Sequence, residues 1–175
     1  METAVFCGVS LDGFIARAND ELDWLMSGSA EKDDNGYKEF IATIDAIVIG
    51  RRTYDVVLGF GGWFYGKMPV FVLSTHELDR VPAEGVIERL SGELGQIYNE
   101  LEERGFKRVY VDGGKTVQQF LRAGLIDRIT ISRLPVLIGT GIPLFGETEA
   151  DIRLKLERVQ EFPSGMVQCE YSIGR

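Results

Sequence analysis

Hydrophobic residues in this chain occur in short runs that alternate with segments of helical spacing. The runs lie at residues 3–9, 46–49, 70–73, 109–111 and 128–136, and each of them predicts a strand. A shorter apolar pair, Val86-Ile87, indicates one further short strand. Because strands that are buried on both faces read as nearly continuous apolar runs, this pattern is typical of a parallel sheet.

Apolar residues recur at spacings of three and four in the segments between these strands. In one segment Tyr37, Phe40, Ile41 and Ile44 share a helical face. The predicted helices cover residues 29–43, 54–58, 93–104 and 116–123. The alternation of strands and helices predicts a mostly parallel central sheet with helices on both faces.

The C-terminal part of the chain has a different pattern, in which apolar and polar residues alternate. Residues 154–162 and 166–173 predict two long strands, and Pro163-Ser164-Gly165 joins them as an antiparallel hairpin. The sequence shows no internal repeat and no clear linker. We therefore expect an α/β fold in which residues 1–175 form a single domain that ends in this hairpin.

Composition and charge exclude several classes of protein. The formal net charge of −8 argues against a nucleic-acid-binding surface, because binding phosphates needs concentrated positive charge. No apolar run is long enough to cross a membrane, and the N-terminus lacks the basic region of a signal peptide, so we expect a cytoplasmic protein. Cys7 and Cys169 are expected to be reduced, and with His76 as the single histidine no metal site is predicted.

Three strand ends combine small and polar residues: Gly50-Arg51-Arg52-Thr53, Leu73-Ser74-Thr75 and Gly113-Gly114-Lys115-Thr116. Free N–H groups and the helix dipole attract anions at a helix N-terminus, and ligands of open α/β sheets bind at the carboxyl ends of strands. The spacing fits neither a P-loop nor a Gly-x-Gly-x-x-Gly motif. Taken one at a time, each segment is either a phosphate-binding loop or a plain turn and helix start.

In their order and spacing, these segments resemble the dihydrofolate reductase fold over nearly the whole chain. The run Ser10-Leu11-Asp12-Gly13-Phe14-Ile15-Ala16 and the segment from Pro135 to Phe145 are most similar to a bacterial branch. That branch includes the C-terminal reductase domain of riboflavin biosynthesis (RibD). The resemblance implies an NADPH-dependent reductase that transfers a hydride to a small pterin- or pyrimidine-like heterocycle. It also implies a homodimer in which the C-terminal strands take part.

The resemblance further implies a cofactor site built from all of these segments. Gly8, Ile15 and Ala16 would contact the nicotinamide, Leu73 would pack near the adenine, and Gly141 would lie in a loop that closes on the cofactor. Ser74, with Arg51 or Arg52, would meet the 2′-phosphate. The remaining residues would hold the other phosphates: Gly50, Thr53, Gly113, Gly114, Lys115 and Thr116.

A catalytic carboxylate is implied on the first long helix. Counting back from Gly50 places it at Asp34, with Asp33 beside it, and a carboxyl group in an apolar pocket there would have a raised pKa. Both residues are equally typical of a helix N-cap. No arginine is clearly placed to hold the glutamate tail of a folate. Because the placement of Asp34 is ambiguous, the alternative function is a protein of the same fold that binds NADPH without catalytic activity.

Overall fold

A computed structural model describes residues 1–26 and 35–174 of the chain. The strands are β1 (Glu2–Val9), β2 (Phe14–Ala16), β3 (Ala46–Gly50), β4 (Pro69–Leu73), β5 (Val86–Leu90), β6 (Arg108–Asp112), β7 (Arg128–Arg133), β8 (Ile142–Pro143), β9 (Leu154–Glu161) and β10 (Val167–Ile173). The helices are α1 (Asp23–Met26), α2 (Tyr37–Ile41), α3 (Arg51–Leu58), α4 (Leu94–Glu103) and α5 (Gly114–Arg122).

Eight of the strands form one sheet in the order β5-β4-β3-β6-β1-β7-β10-β9. The six strands from β5 to β7 run parallel, whereas β10 is antiparallel to both β7 and β9. β2 and β8 pair in a separate two-stranded antiparallel sheet. The predicted parallel sheet and terminal hairpin are thus confirmed.

Successive residues of the parallel strands enter two different apolar cores. In β3, Ala46 and Val48 pack in the core that contains α4 and α5, whereas Ile47 and Ile49 pack against α2 and α3. Tyr110 of β6 also belongs to the second core. All of these side chains are buried, which explains why the strands read as continuous apolar runs. Helices therefore cover both faces of the sheet, as predicted.

Several predicted boundaries were wrong. α3 begins at Arg51 rather than at residue 54, since the extended backbone of Gly50 leads directly into the helix and its two arginines lie on the solvent side. β7 ends at Arg133 and β5 extends to Leu90. Of the helix predicted at 29–43, residues 29–34 lie outside the described part. α2 begins only at Tyr37, after Gly36 in the left-handed region.

The hairpin of β9 and β10 leaves an apolar surface uncovered. Leu154, Leu156, Val159 and Val167 are between 37% and 52% exposed. The strand register places them on the same sheet face as Ile173, which packs against the core of α4 and α5. We call these four residues the hairpin face. Within the described ranges, none of the helices has the length and apolar character needed to span a bilayer.

Candidate functional site

A cleft of about 580 Å³ opens at the carboxyl ends of the central strands. It is lined by the last residues of β1, β3, β4 and β6 and by the first turns of α3 and α5. Most of the residues predicted from the sequence to bind a cofactor line this cleft: Gly8, Ile15, Ala16, Gly50, Arg51, Arg52, Thr53, Leu73, Gly113, Gly114, Lys115 and Thr116. The fold therefore brings together residues that are up to 108 positions apart in the sequence.

The N-termini of α3 and α5 meet at one end of the cleft, which we call the glycine end (residues 50–53 and 113–116). A Cβ atom on Gly50 would lie 2.7 Å from Thr116 Oγ1. A Cβ atom on Gly113 would collide with Thr53 Oγ1, and Gly113 has a φ of +92°. Glycine is thus required where the two helix N-termini approach each other. Their free N–H groups and dipoles create a positive potential there.

The two arginines of α3 face different loops. The Arg51 guanidinium forms ion pairs with Asp55 at 2.9 Å and with Asp79 at 2.6 Å, so it lies beside the loop that follows β4. Arg52 pairs with Asp20 at 2.7 Å and so faces the loop after β2. Of the two arginines, Arg51 is the one near Ser74. Lys115 is exposed in the first turn of α5.

Two of the predicted cofactor residues, Ser74 and Gly141, do not line the cleft. The Ser74 hydroxyl donates to the His76 carbonyl at 2.7 Å and accepts from the His76 N–H at 3.1 Å, which closes a local turn. Arg89 of β5, which the sequence did not single out, donates to the Ser74 carbonyl at 3.2 Å. Gly141 packs directly against the Ala16 carbonyl oxygen.

Asp112, at the end of β6, places a carboxyl group in the cleft. This group was not among the residues predicted from the sequence. Its Oδ1 accepts the Gly113 N–H at 2.7 Å. Burial raises the pKa of Asp112, and this hydrogen bond opposes the rise. The sequence pattern singled out only the glycines that follow Asp112, Gly113 and Gly114, as a phosphate-binding loop or turn. The signal that could have identified the carboxyl group is its position at the carboxyl end of a fully apolar strand.

The Asp112 carboxylate acts electrostatically on several tyrosines and on one thiol. Burial, together with the nearby Asp112 carboxylate, raises the pKa of Tyr37 to about 12 and raises the pKa values of Tyr65, Tyr110 and Cys7. The Tyr110 hydroxyl donates to the Phe6 carbonyl at 2.9 Å. None of the ion pairs that the described residues form includes Asp112.

The strand registers align further groups with Asp112. On β1 and β6, Ala4 lies opposite Tyr110, and on β1 and β7, Gly8 lies opposite Ser132. Side chains alternate between the faces of a sheet, so Asp112 and Ser132 lie on the same face on either side of β1. We call this region, made of Phe6, Gly8, Tyr37, Asp112 and Ser132, the carboxylate end of the cleft.

The predicted catalytic residues Asp33 and Asp34 lie outside the described residues. Their assignment therefore stays a prediction. The first residues described after them, Asn35 and Tyr37, line the cleft. The aromatic loop at 61–65 packs partly inward, with Trp63 against Tyr54 at 5.9 Å between ring centroids.

Comparison with known proteins identifies the family. The family model of the RibD C-terminal domain matches residues 4–168. The Bacillus subtilis protein YwjB, itself uncharacterised, is 31% identical over 170 residues, which cover 97% of each chain. The crystal structure of a Shewanella sp. PV-4 protein named for riboflavin biosynthesis is 36% identical. It superposes with a TM-score of 0.93, and the match covers 100% of both chains.

The same architecture occurs in a more distant enzyme. Dihydrofolate reductase from Enterococcus faecalis, solved in complex with NADP(H), is 12% identical and has a TM-score of 0.66 over 99% of this chain and 97% of its own. At that identity the likeness shows the fold alone. The chain belongs to the RibD C-terminal domain family of reductase domains and has the dihydrofolate reductase fold.

Proposed function

We propose that this protein is an NADPH-dependent reductase that transfers a hydride to a pterin- or pyrimidine-like heterocycle. The observation that carries the proposal is the meeting of two helix N-termini, through Gly50–Thr116 and Gly113–Thr53, beside a large cleft. Gly50 and Gly113 have no side chains, so a pyrophosphate can closely approach the backbone N–H groups where the two helix N-termini converge. The residues present therefore fit a dinucleotide.

The remaining cofactor contacts are assigned by position along the cleft. Gly8, Ile15 and Ala16 would hold the nicotinamide, and Leu73 would pack near the adenine. Arg51, beside the loop that contains Ser74, would meet the 2′-phosphate by exchanging one of its carboxylate partners for it. Lys115 would add charge at the pyrophosphate, and Gly141 would support the β2 segment behind the nicotinamide.

The protein has to manage a proton in this reaction. NADPH, when bound, would supply a hydride to the carbon of an acceptor C=N or C=O, and the nitrogen or oxygen of that acceptor would then need a proton. Asp112 lies in the same cleft with a raised pKa, which suits a carboxyl group that donates a proton. We propose Asp112 for this role alongside the earlier candidates Asp33 and Asp34.

Cofactor titration tests the proposal directly. We expect NADPH to bind more tightly than NADH and, at 100 times its Kd, to stabilise the fold by about 2.7 kcal/mol in thermal denaturation. Arg51→Gln should weaken NADPH binding by about tenfold to a hundredfold and leave NADH binding unchanged, because it removes charged hydrogen bonds to the 2′-phosphate alone.

Arg158→Gln, on the exposed strand β9, is the matched control and should change neither affinity. Equal affinities of the wild-type protein for NADPH and NADH would refute the Arg51 assignment. If neither NADPH nor NADH bound, the reductase function would be refuted. Binding of NADPH without turnover of any pterin or pyrimidine would favour the alternative, a binding protein without activity.

We further propose that residues 1–175 form one domain, which assembles as a homodimer in the cytoplasm. The single domain is supported by the eight-stranded sheet, which contains both the first strand, β1, and the last strand, β10. The uncovered hairpin face supports the dimer, since monomers rarely leave contiguous apolar patches in solvent. The two cysteines are free thiols, in keeping with a reducing compartment.

A further inference from the structure

Resting on the proposed reductase function, we propose that the protein limits its own preference for NADPH. Two exposed carboxylates compete with the 2′-phosphate of the cofactor for a pair of guanidinium groups. The carboxylates belong to Glu77 and Asp79 in the turn after β4, and the guanidinium groups belong to Arg51 and Arg89. We call residues 74–79 the acidic turn. The two carboxylates thereby determine how strongly the site discriminates NADPH from NADH.

Two guanidinium groups reach the acidic turn from different elements. Arg51 of α3 donates from Nη1 to the Glu77 carbonyl at 2.9 Å and from Nη2 to the Asp79 carboxylate at 2.6 Å. Arg89 of β5 donates to the Ser74 carbonyl at 3.2 Å and forms an ion pair with the Glu77 carboxylate at 2.8 Å. Glu77 therefore contacts both guanidinium groups, one through its backbone and the other through its side chain.

The acidic turn begins at the end of the cleft where the adenine is proposed to lie. Arg51 and Leu73 line the cleft, and Ser74 directly follows Leu73. A dinucleotide with its pyrophosphate at the glycine end and its adenine near Leu73 would bring the adenosine ribose beside this turn. NADPH and NADH differ only at the 2′-position of that ribose, so the charges of the turn bear directly on the choice between them.

The arginines are held in place, whereas the carboxylates of the turn are exposed enough to move. The side chains of Arg51 and Arg89 are 30% and 28% exposed, but those of Asp79 and Glu77 are 86% and 85% exposed. The Arg51 Nε also donates to Asp55 at 2.9 Å, within the same helix. Exposed ion pairs contribute little to stability. A phosphate, with more charge and three acceptor oxygens, can therefore replace these carboxylates.

This competition acts on NADPH and not on NADH. Before the 2′-phosphate can bind the arginines, the carboxylates have to leave them, and the displaced carboxylates stay nearby as negative charges that repel the phosphate. NADH carries no group that needs either arginine. Removing one carboxylate charge should therefore strengthen the binding of NADPH and leave the binding of NADH unchanged.

Two adenine nucleotides that differ only in the 2′-phosphate test the inference without catalysis. The probes are adenosine 2′,5′-bisphosphate and adenosine 5′-monophosphate, measured by isothermal titration calorimetry at fixed ionic strength beside NADPH and NADH. We expect Asp79→Asn and Glu77→Gln each to tighten the binding of the bisphosphate and of NADPH by about twofold to fivefold, the range of an exposed ion pair. Neither variant should change the Kd of the monophosphate or of NADH.

Further variants separate the contribution of each group. Arg89→Gln should weaken the binding of the bisphosphate by about tenfold and leave the monophosphate unaffected, because one charged hydrogen-bond partner is lost. Binding of the bisphosphate by Arg89→Gln as tightly as by the wild-type protein would remove Arg89 from the site. Asp151→Asn removes the same charge from an exposed loop that does not line the cleft, so it controls for net charge and should change no Kd.

The outcomes distinguish this inference from the proposed function. If the wild-type protein bound neither NADPH nor NADH, the proposed function would fail and the inference with it. If NADPH bound but neither Asp79→Asn nor Glu77→Gln tightened the binding of the bisphosphate, the inference alone would be overturned.

Discussion

Asp112 ends a strand whose preceding three residues are almost completely shielded from solvent, and this position changes the chemistry of its carboxyl group. Desolvation disfavours the charged form and raises its pKa, whereas the hydrogen bonds from Gly113 and Tyr110 oppose the rise. A carboxyl group in such surroundings keeps its proton to a higher pH than an exposed one. It can therefore act as an acid under conditions in which most carboxyl groups are ionised.

We predict that Asp112→Asn lowers kcat for the preferred acceptor by about 10²- to 10⁴-fold, the usual range for loss of an acid–base group. The Kd of NADPH should stay unchanged. In the wild-type protein, activity should be highest below the raised pKa of Asp112 and should fall as pH rises through it, because the protonated form is the donor. The variant should lose this dependence.

Steady-state kinetics across pH, with thermal denaturation to verify folding, would check this prediction. Asp151→Asn again provides the control, because its side chain lies on an exposed loop. Retention of wild-type kcat by folded Asp112→Asn would assign the proton transfer to another group. Asp34→Asn would then be the next variant to measure.

At the scale of elements, the contact between α3 and α5 determines the shape of the glycine end. The helices come from separate parts of the sequence and meet only because β3 and β6 are neighbours in the sheet. Gly113 has a positive φ and contacts Thr53, so its backbone geometry couples the two N-termini. A side chain at this position would both strain the backbone and push the helices apart.

Gly113→Ala is therefore expected to lower the free energy of unfolding by more than about 1 kcal/mol, since a φ of 92° with a ψ of 131° is a sparsely populated conformation that costs a residue other than glycine about 1–3 kcal/mol. NADPH binding should weaken at the same time. Adding Thr53→Ala removes Thr53 Oγ1, the atom closest to the new Cβ at position 113, and should recover part of the lost stability. Urea denaturation and cofactor titration would measure both effects.

Gly95→Ala is a matched control, because Gly95 lies within α4 with open space around its Cα. It should raise stability by up to about 1 kcal/mol through the helix propensity of alanine. If Gly113→Ala and Gly95→Ala unfolded at the same urea concentration, the close contact between the helices would not matter for stability.

The sequence predicted those elements whose pattern is local. The strands around 46–49 and 109–111 were correct because burial on both faces leaves a continuous apolar run. The start of α3 was missed because Arg51 and Arg52 carry no apolar signal. The pair β2 and β8 was missed because two strands of three and two residues depend entirely on a partner more than 120 positions away.

The candidate site, too, was predictable only where it depends on local sequence. The glycine end follows from local turns, whereas the carboxylate end depends on which strands become neighbours. Ser132 gains its place only through its register with Gly8, and Asp112 only through the groups that fold over it. Ser74 was expected to face a phosphate, yet its hydroxyl closes a turn with His76, a competition that the sequence could not reveal.

At the scale of the whole molecule, the two edges of the sheet differ. β5 is a short strand whose outer residues include charged side chains, whereas the hairpin at the other edge exposes Leu156 and Val159 by 51% and 52%. These residues continue the apolar face that α4 and α5 cover elsewhere. An uncovered extension of a core face is typical of a surface that another chain buries.

We predict that wild-type protein sediments as a dimer and that Leu156→Lys with Val159→Lys shifts it to a monomer, because two charges per chain would have to be desolvated at the interface. Leu137→Lys is the control, since Leu137 is 70% exposed but lies in the loop before β8 and is not one of the four residues of the hairpin face. Analytical ultracentrifugation over a range of concentrations would detect the change. A wild-type monomer would refute the proposed dimer.

The central place of β1 also has a consequence for how the chain is made. β1 is the first strand in the sequence, yet its neighbours β6 and β7 begin at residues 108 and 128. At a synthesis rate of about 5–20 residues per second, roughly 5–20 s separate the translation of β1 from that of β6. Throughout that interval the apolar strand β1 lacks both of its sheet neighbours, which leaves it open to pairing with other chains.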